Sequence, residues 1–424
     1  MNRDPFPGDL TVPGSLPAVA APPAAPRLRL SAMMFLEYFV QGTWWITLGT
    51  YLGRTLGFHG VQIGLCYSAA AIAAIVSPFF VGMVADRFFA TERVLAVLHL
   101  VGGVILWAAA GSTRFALLFP LLVAYFLCYM PTMPLTNAMA FHHLDDAVAD
   151  FPRVRVLGPV GWIVAGVIVG QLRLEGSPLP MRIAAVASLG MAAFCLTLPH
   201  TPPPAAGTRA RLRDLLGLEA LGLMKDRAFA MFVVASFLVC IPIQAYSAFA
   251  NLFLNEIGVR AAASKMTLAQ CSEVVATLLL PWFLPRLGVR RMILIGMAAW
   301  VLRYLLFALG GPGALEPLLL AAILLHGFCY VFALLTGYIY VDQQADVRIR
   351  GAAQGFISLV TLGLGYLVGG WASGKLVDAF GHVGPTGTLT HDWHTIWLVP
   401  AGTVLAILLL FAASFRPEPA AATP

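Results

Sequence analysis

Apolar residues in this chain run in unbroken blocks of about 20, the length an α-helix needs to cross roughly 30 Å of hydrocarbon. Read between turns and charges, the blocks predict twelve helices near 31–53, 60–85, 94–111, 115–141, 154–172, 181–199, 229–254, 263–285, 291–310, 314–341, 351–373 and 394–415. A polar stretch from Thr201 to Arg227, with Arg209, Arg211, Arg213, Lys225 and Arg227, separates six from six. The expected fold is therefore an all-α membrane protein of two six-helix halves, 31–199 and 229–415, joined by a linker at 200–228. Tails are expected at 1–30 and 416–424.

Composition agrees with the pattern. Of the residues, 59% are apolar and 11% charged, and the mean hydropathy is +0.84, which excludes an ordinary soluble surface of about 25% charged residues. The Pro- and Ala-rich residues 1–30 hold no apolar run long enough for a signal-peptide core. With the N-terminus placed inside, 18 Lys and Arg collect on the inner side and seven on the outer, leaving Arg303 within a span. That asymmetry predicts both termini cytoplasmic. The net charge of +6 thus reports topology and not nucleic-acid binding. Six cysteines (Cys66, Cys128, Cys195, Cys240, Cys271 and Cys329) lie inside apolar blocks without a C-x-x-C pair, so neither a metal site nor a disulfide framework is expected. No metal and no cofactor is called for.

The end of the second block, Gly82-Met83-Val84-Ala85-Asp86-Arg87-Phe88, is echoed at Pro285 to Arg291, and each follows the second helix of its half. The first carries the Gly-x-x-x-Asp-Arg spacing of Gly82, Asp86 and Arg87. A carboxylate at a helix C-terminus opposes the macrodipole and needs a cationic or N-terminal partner from another helix; a solvated turn is the plainer reading. Pro131, Pro134, Pro242 and Pro281 interrupt the predicted spans, and span 351–373 carries Gly-x-x-x-Gly spacings that permit close helix approach.

Charged groups at membrane depth are costly and mark functional candidates. Gln270 and Glu273 share a face at i, i+3 spacing, where an amide and a carboxyl suit a polar solute and a proton; a structural helix-to-helix hydrogen bond is the alternative. Gln244 and Ser247 repeat that spacing after Pro242, and Asn251 follows as a cavity or capping residue. His326 and Tyr330, at i, i+4, could stack on a planar ring or simply pack. Glu37 lies in a polar and aromatic stretch of the first span, suited to a cavity or to snorkelling. Arg303 is expected to pair internally or to reach outwards, and His99 stays open between roles. His142, His143, Asp145 and Asp146 read as a hydrated connector.

Several passages together resemble the bacterial nucleoside:proton symporter family of the major facilitator superfamily, over about 31–415. They are Gly42-Thr43-Trp44 through Leu48-Gly49, Tyr129-Met130-Pro131-Thr132 with Asn137, and Asp150-Phe151-Pro152 with Arg155 and Gly158. Further along come Leu215-Leu216-Gly217-Leu218, Gln270 with Ser272-Glu273, Arg303, and Ala352-Ala353-Gln354-Gly355. The resemblance implies alternating access in an inner-membrane carrier, expected to be a monomer that moves a nucleoside with protons. Its solute site maps to Arg155, Trp162, Gln244, Ser247, Gln270, Glu273, His326 and Tyr330, with Glu273 and Glu37 as proton-coupling groups. Pro159, Trp162 and Ser247 depart from the family's usual Thr, Phe and Asn. Tyr330-Val331-Phe332 replaces an aromatic-Asp-Phe pattern, so a coupling carboxylate is missing and uncoupled diffusion becomes an alternative. A carrier of a sugar or nucleobase and a membrane-embedded solute sensor are the other readings. No Ser/His/Asp order or H-E-x-x-H motif in the spans favours an enzyme.

Overall fold

A computed structural model describes residues 24–80, 89–144, 146–203, 218–346, 348–383 and 389–416. Gly82, Asp86 and Arg87 lie outside the described residues. In chain order the helices are α1 (Ala24–Trp44), α2 (Gly60–Phe80), α3 (Thr91–Ala110), α4 (Phe115–Tyr129), α5 (Thr132–His143), α6 (Ala147–Arg155), α7 (Leu157–Gln171) and α8 (Leu179–Cys195). They continue with α9 (Arg227–Glu256), α10 (Ala262–Leu309), α11 (Glu316–Leu324), α12 (Thr336–Gln344), α13 (Arg350–Ser358), α14 (Tyr366–Ala379) and α15 (Trp393–Ser414). Among the described residues nine helical runs are long and apolar enough to cross a membrane, and α8 is a shorter apolar helix. Large apolar side chains such as Trp107, Leu278 and Leu410 face outwards, as a lipid-facing belt requires.

Several boundaries differ from the sequence reading for local reasons. α1 starts at Ala24, inside the stretch read as a tail, because Arg27 pairs with Asp150 at 2.6 Å and Arg29 Nη1 donates to the Thr197 carbonyl at 2.9 Å. The predicted spans 263–285 and 291–310 form one 48-residue run whose break is Gly288, at φ 71°, a left-handed conformation that glycine adopts without a Cβ clash. The block at 115–141 divides at Pro131 into α4 and α5. The block at 314–341 contains a π-helical stretch, Phe328–Leu335, and that at 351–373 another, Leu359–Gly365. The fold is also not wholly helical: Gly381–Val383 (β1) and Leu389–His391 (β2) pair antiparallel in a small hairpin after α14.

Helices up to Cys195 pack among themselves, chiefly α1 on α7 and α8, α3 on α4 and α8, and α2 on α4. Helices from Arg227 form a second group, with α9 on α14 and α15 and with α10 on α11 and α15. The groups meet along α2 against α14 and along α7 against α10. At α2–α14 the backbones nearly touch: a Cβ on Gly64 would overlap the Gly370 carbonyl, and one on Gly60 would meet the Gly374 carbonyl. Ser68 Oγ bridges the seam, bonding to the carbonyls of Gly64 (3.0 Å) and Leu367 (3.3 Å). Small residues thus replace hydrophobic driving force with backbone proximity.

One end of the bundle, the terminal face, holds both described chain ends. The other, the distal face, holds the turns after α7, α9 and α14. At the terminal face Arg290 donates to the last carbonyls of α15, Phe415 O at 2.8 Å and Ala412 O at 2.6 Å, the arrangement that satisfies a helix C-terminus. Gly64→Val should destabilise the fold by about 1–3 kcal/mol through overpacking, read as a lower unfolding temperature of the purified protein. Gly402→Ala, where an added Cβ meets open space, should leave that temperature unchanged.

Candidate functional site

Glu273 lies on the first arm of α10, before the Gly288 break, and Arg303 on the second. The chain from Leu325 to Tyr330 passes between them. Gly327 lets it come close to the first arm, where a Cβ would collide with the Ser272 carbonyl, and the Gly327 amide donates to Ser272 Oγ at 2.9 Å. Trp300 Nε1 donates to the Cys329 carbonyl at 3.2 Å on the other side. His326 is thereby fixed between a carboxylate and a guanidinium.

The resulting cluster has definite geometry. Gln270 Nε2 donates to Glu273 Oε2 at 2.9 Å, so the predicted i, i+3 pair forms. His326 Nε2 stands 3.5 Å from the same carboxylate oxygen, and its Nδ1 lies 2.8 Å from Arg303 Nη1. The His326 and Tyr330 rings stack with centroids 5.7 Å apart and planes at 23°, as their i, i+4 spacing predicts. Tyr246 of α9 closes the cluster, 5.7 Å from His326 between centroids and with Arg303 lying 3.5 Å over its ring. Glu273 and His326 keep partial exposure, 26% and 16% of the side chain, while Arg303 has none.

The other predicted residues make no hydrogen bond to this cluster among the described residues. Arg155 hydrogen-bonds the Tyr38 hydroxyl and lies 4.5 Å over its ring. Trp162 is half-buried and packs on Gly42 of α1. Gln244 is 1% exposed, and neither its amide nitrogen nor its oxygen has a hydrogen-bond partner. Ser247 is half-buried one turn further along α9.

Glu37 corrects the reading of α1. Neither a cavity nor the interface receives it: it is fully buried, accepting from Thr132 Oγ1 at 2.5 Å and facing His99 Nε2 at 2.9 Å. His99 Nδ1 in turn meets Ser188 Oγ at 3.2 Å, and Tyr129 donates to the Glu37 carbonyl at 2.8 Å. Four helices, α1, α3, α5 and α8, are tied through one carboxylate.

A second polar centre, absent from the sequence reading, closes the distal face. Glu175, in the turn after α7, accepts from Asn251 Nδ2 (2.9 Å), Asn255 Nδ2 (2.5 Å) and the Ala263 amide at the start of α10 (3.0 Å). Thr50 Oγ1 donates to Asn251 Oδ1 at 2.5 Å, so Asn251 bridges helices and does not merely cap. On the opposite seam Asp378 of α14 accepts from the amides of Gly60 (2.5 Å) and Val61 (3.0 Å) at the start of α2. Each group thus caps a helix N-terminus of the other with a carboxylate, which suits the macrodipole. A cavity of about 620 Å³ lined by Arg54, Arg173, Glu175, Asn255 and Arg260 opens here; it includes none of the predicted solute residues. Among the described residues, the hydrogen bonds that join the two groups all lie towards this end.

Comparison with known proteins agrees with this architecture. The profile described as "Nucleoside H+ symporter" matches residues 25–420. The putative nucleoside transporter YegT of Escherichia coli K12 is 40% identical, covering 92% of this chain and 93% of its own. The xanthosine permease of the same organism is 35% identical, covering 92% and 96%. A crystal structure of the nucleoside transporter NupG superposes with a TM-score of 0.85 at 33% identity, covering 92% of this chain and 99% of that one. Peptide transporter structures, at 15% identity and a TM-score of 0.71, share the fold. These relatives are membrane transporters and not enzymes. The chain is a multi-pass membrane protein that belongs to the nucleoside H+ symporter family.

Proposed function

We propose that the protein carries nucleosides across the bacterial inner membrane by alternating access, coupled to protons through Glu273. The observation that carries this reading is the Gln270–Glu273–His326–Tyr330 cluster. It offers an amide, a carboxylate and an imidazole to ribose or base hydrogen-bonding groups, and aromatic faces to a planar ring. Gln244 adds a buried amide with both functions unclaimed, which a solute would satisfy at no cost to existing bonds. Arg155 and Tyr38 supply the first half's share, and Trp162 and Ser247 complete the predicted lining. The twelve-span count, the boundaries 31–199 and 229–415, the cytoplasmic termini and a monomeric state belong to the same reading, supported by the charge asymmetry.

With the terminal face cytoplasmic, the Glu175 and Asp378 contacts shut the outside and solute reaches the site from within. Rocking the two halves about the site would break those contacts and close the terminal face. Glu273, being partly exposed, meets solute and protons; Val331, where the family pattern has an Asp, leaves no carboxylate between Tyr330 and Phe332 to share that role. Glu37, sealed among His99, Thr132 and Tyr129, serves here as an anchor of the first half and not as a second proton carrier.

In proteoliposomes with an inward proton gradient, radiolabelled uridine or adenosine should accumulate, whereas Glu273→Gln should abolish accumulation and retain exchange. Saturable binding with neither accumulation nor exchange would refute the carrier reading. Glu37→Ala, which leaves His99 and Thr132 without their buried partner, should cost about 3–5 kcal/mol, seen as loss of folded protein on size-exclusion chromatography. Glu175→Ala combined with Asp378→Ala should loosen the distal face by the worth of charge-assisted bonds, about 1.5–3 kcal/mol each. The check is labelling of a Thr50→Cys reporter by an impermeant thiol reagent, expected to accelerate at least about tenfold.

A further inference from the structure

Arg303 has no carboxylate within ion-pair distance among the described residues, although it is fully buried. Its Nε and Nη2 have no hydrogen-bond partner, and its charge rests on the faces of Tyr246 (3.5 Å), Trp300 (5.1 Å) and Phe307 (5.7 Å). Its Nη1 lies 2.8 Å from His326 Nδ1, within hydrogen-bond distance. A guanidinium is permanently protonated and only donates. His326 Nδ1 must therefore present its lone pair, and the ring proton sits on Nε2, the nitrogen that faces Glu273 at 3.5 Å.

We propose that Arg303 is a positioning residue that holds His326 neutral, as the Nε2–H tautomer aimed at Glu273. Protonating His326 would need a hydrogen on Nδ1, where Arg303 already points one, and would set two cations side by side in a buried site. The groups that face His326 are Arg303 and Glu273 from α10, Tyr246 from α9, and Tyr330 from its own segment; only Glu273 favours a charged imidazole. Gln270 then donates to Glu273 and the His326 Nε2–H faces the same oxygen, which leaves Glu273 as the group of the cluster that takes up and releases a proton. The imidazole is a fixed donor, available to a solute acceptor when Glu273 is protonated. The consequence for transport rests on the proton-coupled reading above; the tautomer itself does not.

Nitrogen-15 spectra of histidine-labelled protein test this directly, with His326→Gln identifying the signal among the chain's nine histidines. The expected result is the Nε2–H pattern, unchanged over about pH 5 to 8. Arg303→Gln should free Nδ1, so that the ring gains a second proton as the pH falls, while Arg303→Lys keeps a donor and should preserve the tautomer. A wild-type signal with the proton on Nδ1, or one that titrates in that range, overturns the proposal even if Arg303→Gln fails to fold. No substrate enters the measurement, so its outcome is independent of whether nucleosides are the cargo. In exchange assays the same variant should add a second ionisation to the pH profile, and Arg303→Gln with His326→Gln should remove it again.

Discussion

Hydrocarbon offers no hydrogen bonds, so each polar group carried into the membrane must find its partner inside the protein. The arrangement of helices follows from that demand. Glu37 draws α1, α3, α5 and α8 together because His99, Thr132 and Ser188 are the groups that can satisfy it and its partner. Arg303, lacking an acid, collects the rings of Tyr246, Trp300 and Phe307 instead. Where no side chain is available, backbones themselves close the gap, as at Gly64 and Gly370.

The same demand separates structure from function within the one chain. A fully buried and fully bonded carboxylate, Glu37, has no unsatisfied capacity left for a solute. Glu273 keeps partial exposure, accepts from Gln270 and faces His326 at 3.5 Å, and Gln244 keeps two unclaimed polar atoms. Readiness to bind is visible as incomplete satisfaction.

Much of this was legible in the sequence wherever partners lie within two helical turns. Gln270 with Glu273 and His326 with Tyr330 are pairs that helical spacing predicts, and both form. The apolar blocks located most of the helices, and glycine and proline marked the breaks at Gly288 and Pro131. What spacing cannot convey is contact between distant segments. Glu37 was visible as a charge in a span, but its partners lie 62 to 95 residues away. Tyr246 gave no signal, since an aromatic in an apolar block looks like any other core residue. Glu175 sat in a short connector, and only folding brings Asn251, Asn255 and the α10 amide to it. The resemblance to a family supplied the solute residues that periodicity alone did not join, such as Arg155 and Trp162.

The reciprocal caps at the distal face carry an implication for energetics. Glu175 covers the start of α10 and Asp378 the start of α2, and both lie where water can replace them once the seam parts. Backbone amides exchange one set of acceptors for another, so shut and open forms need differ little in free energy. A carrier works best between two such nearly isoenergetic states, because small differences in affinity for cargo and proton then set the direction of flow.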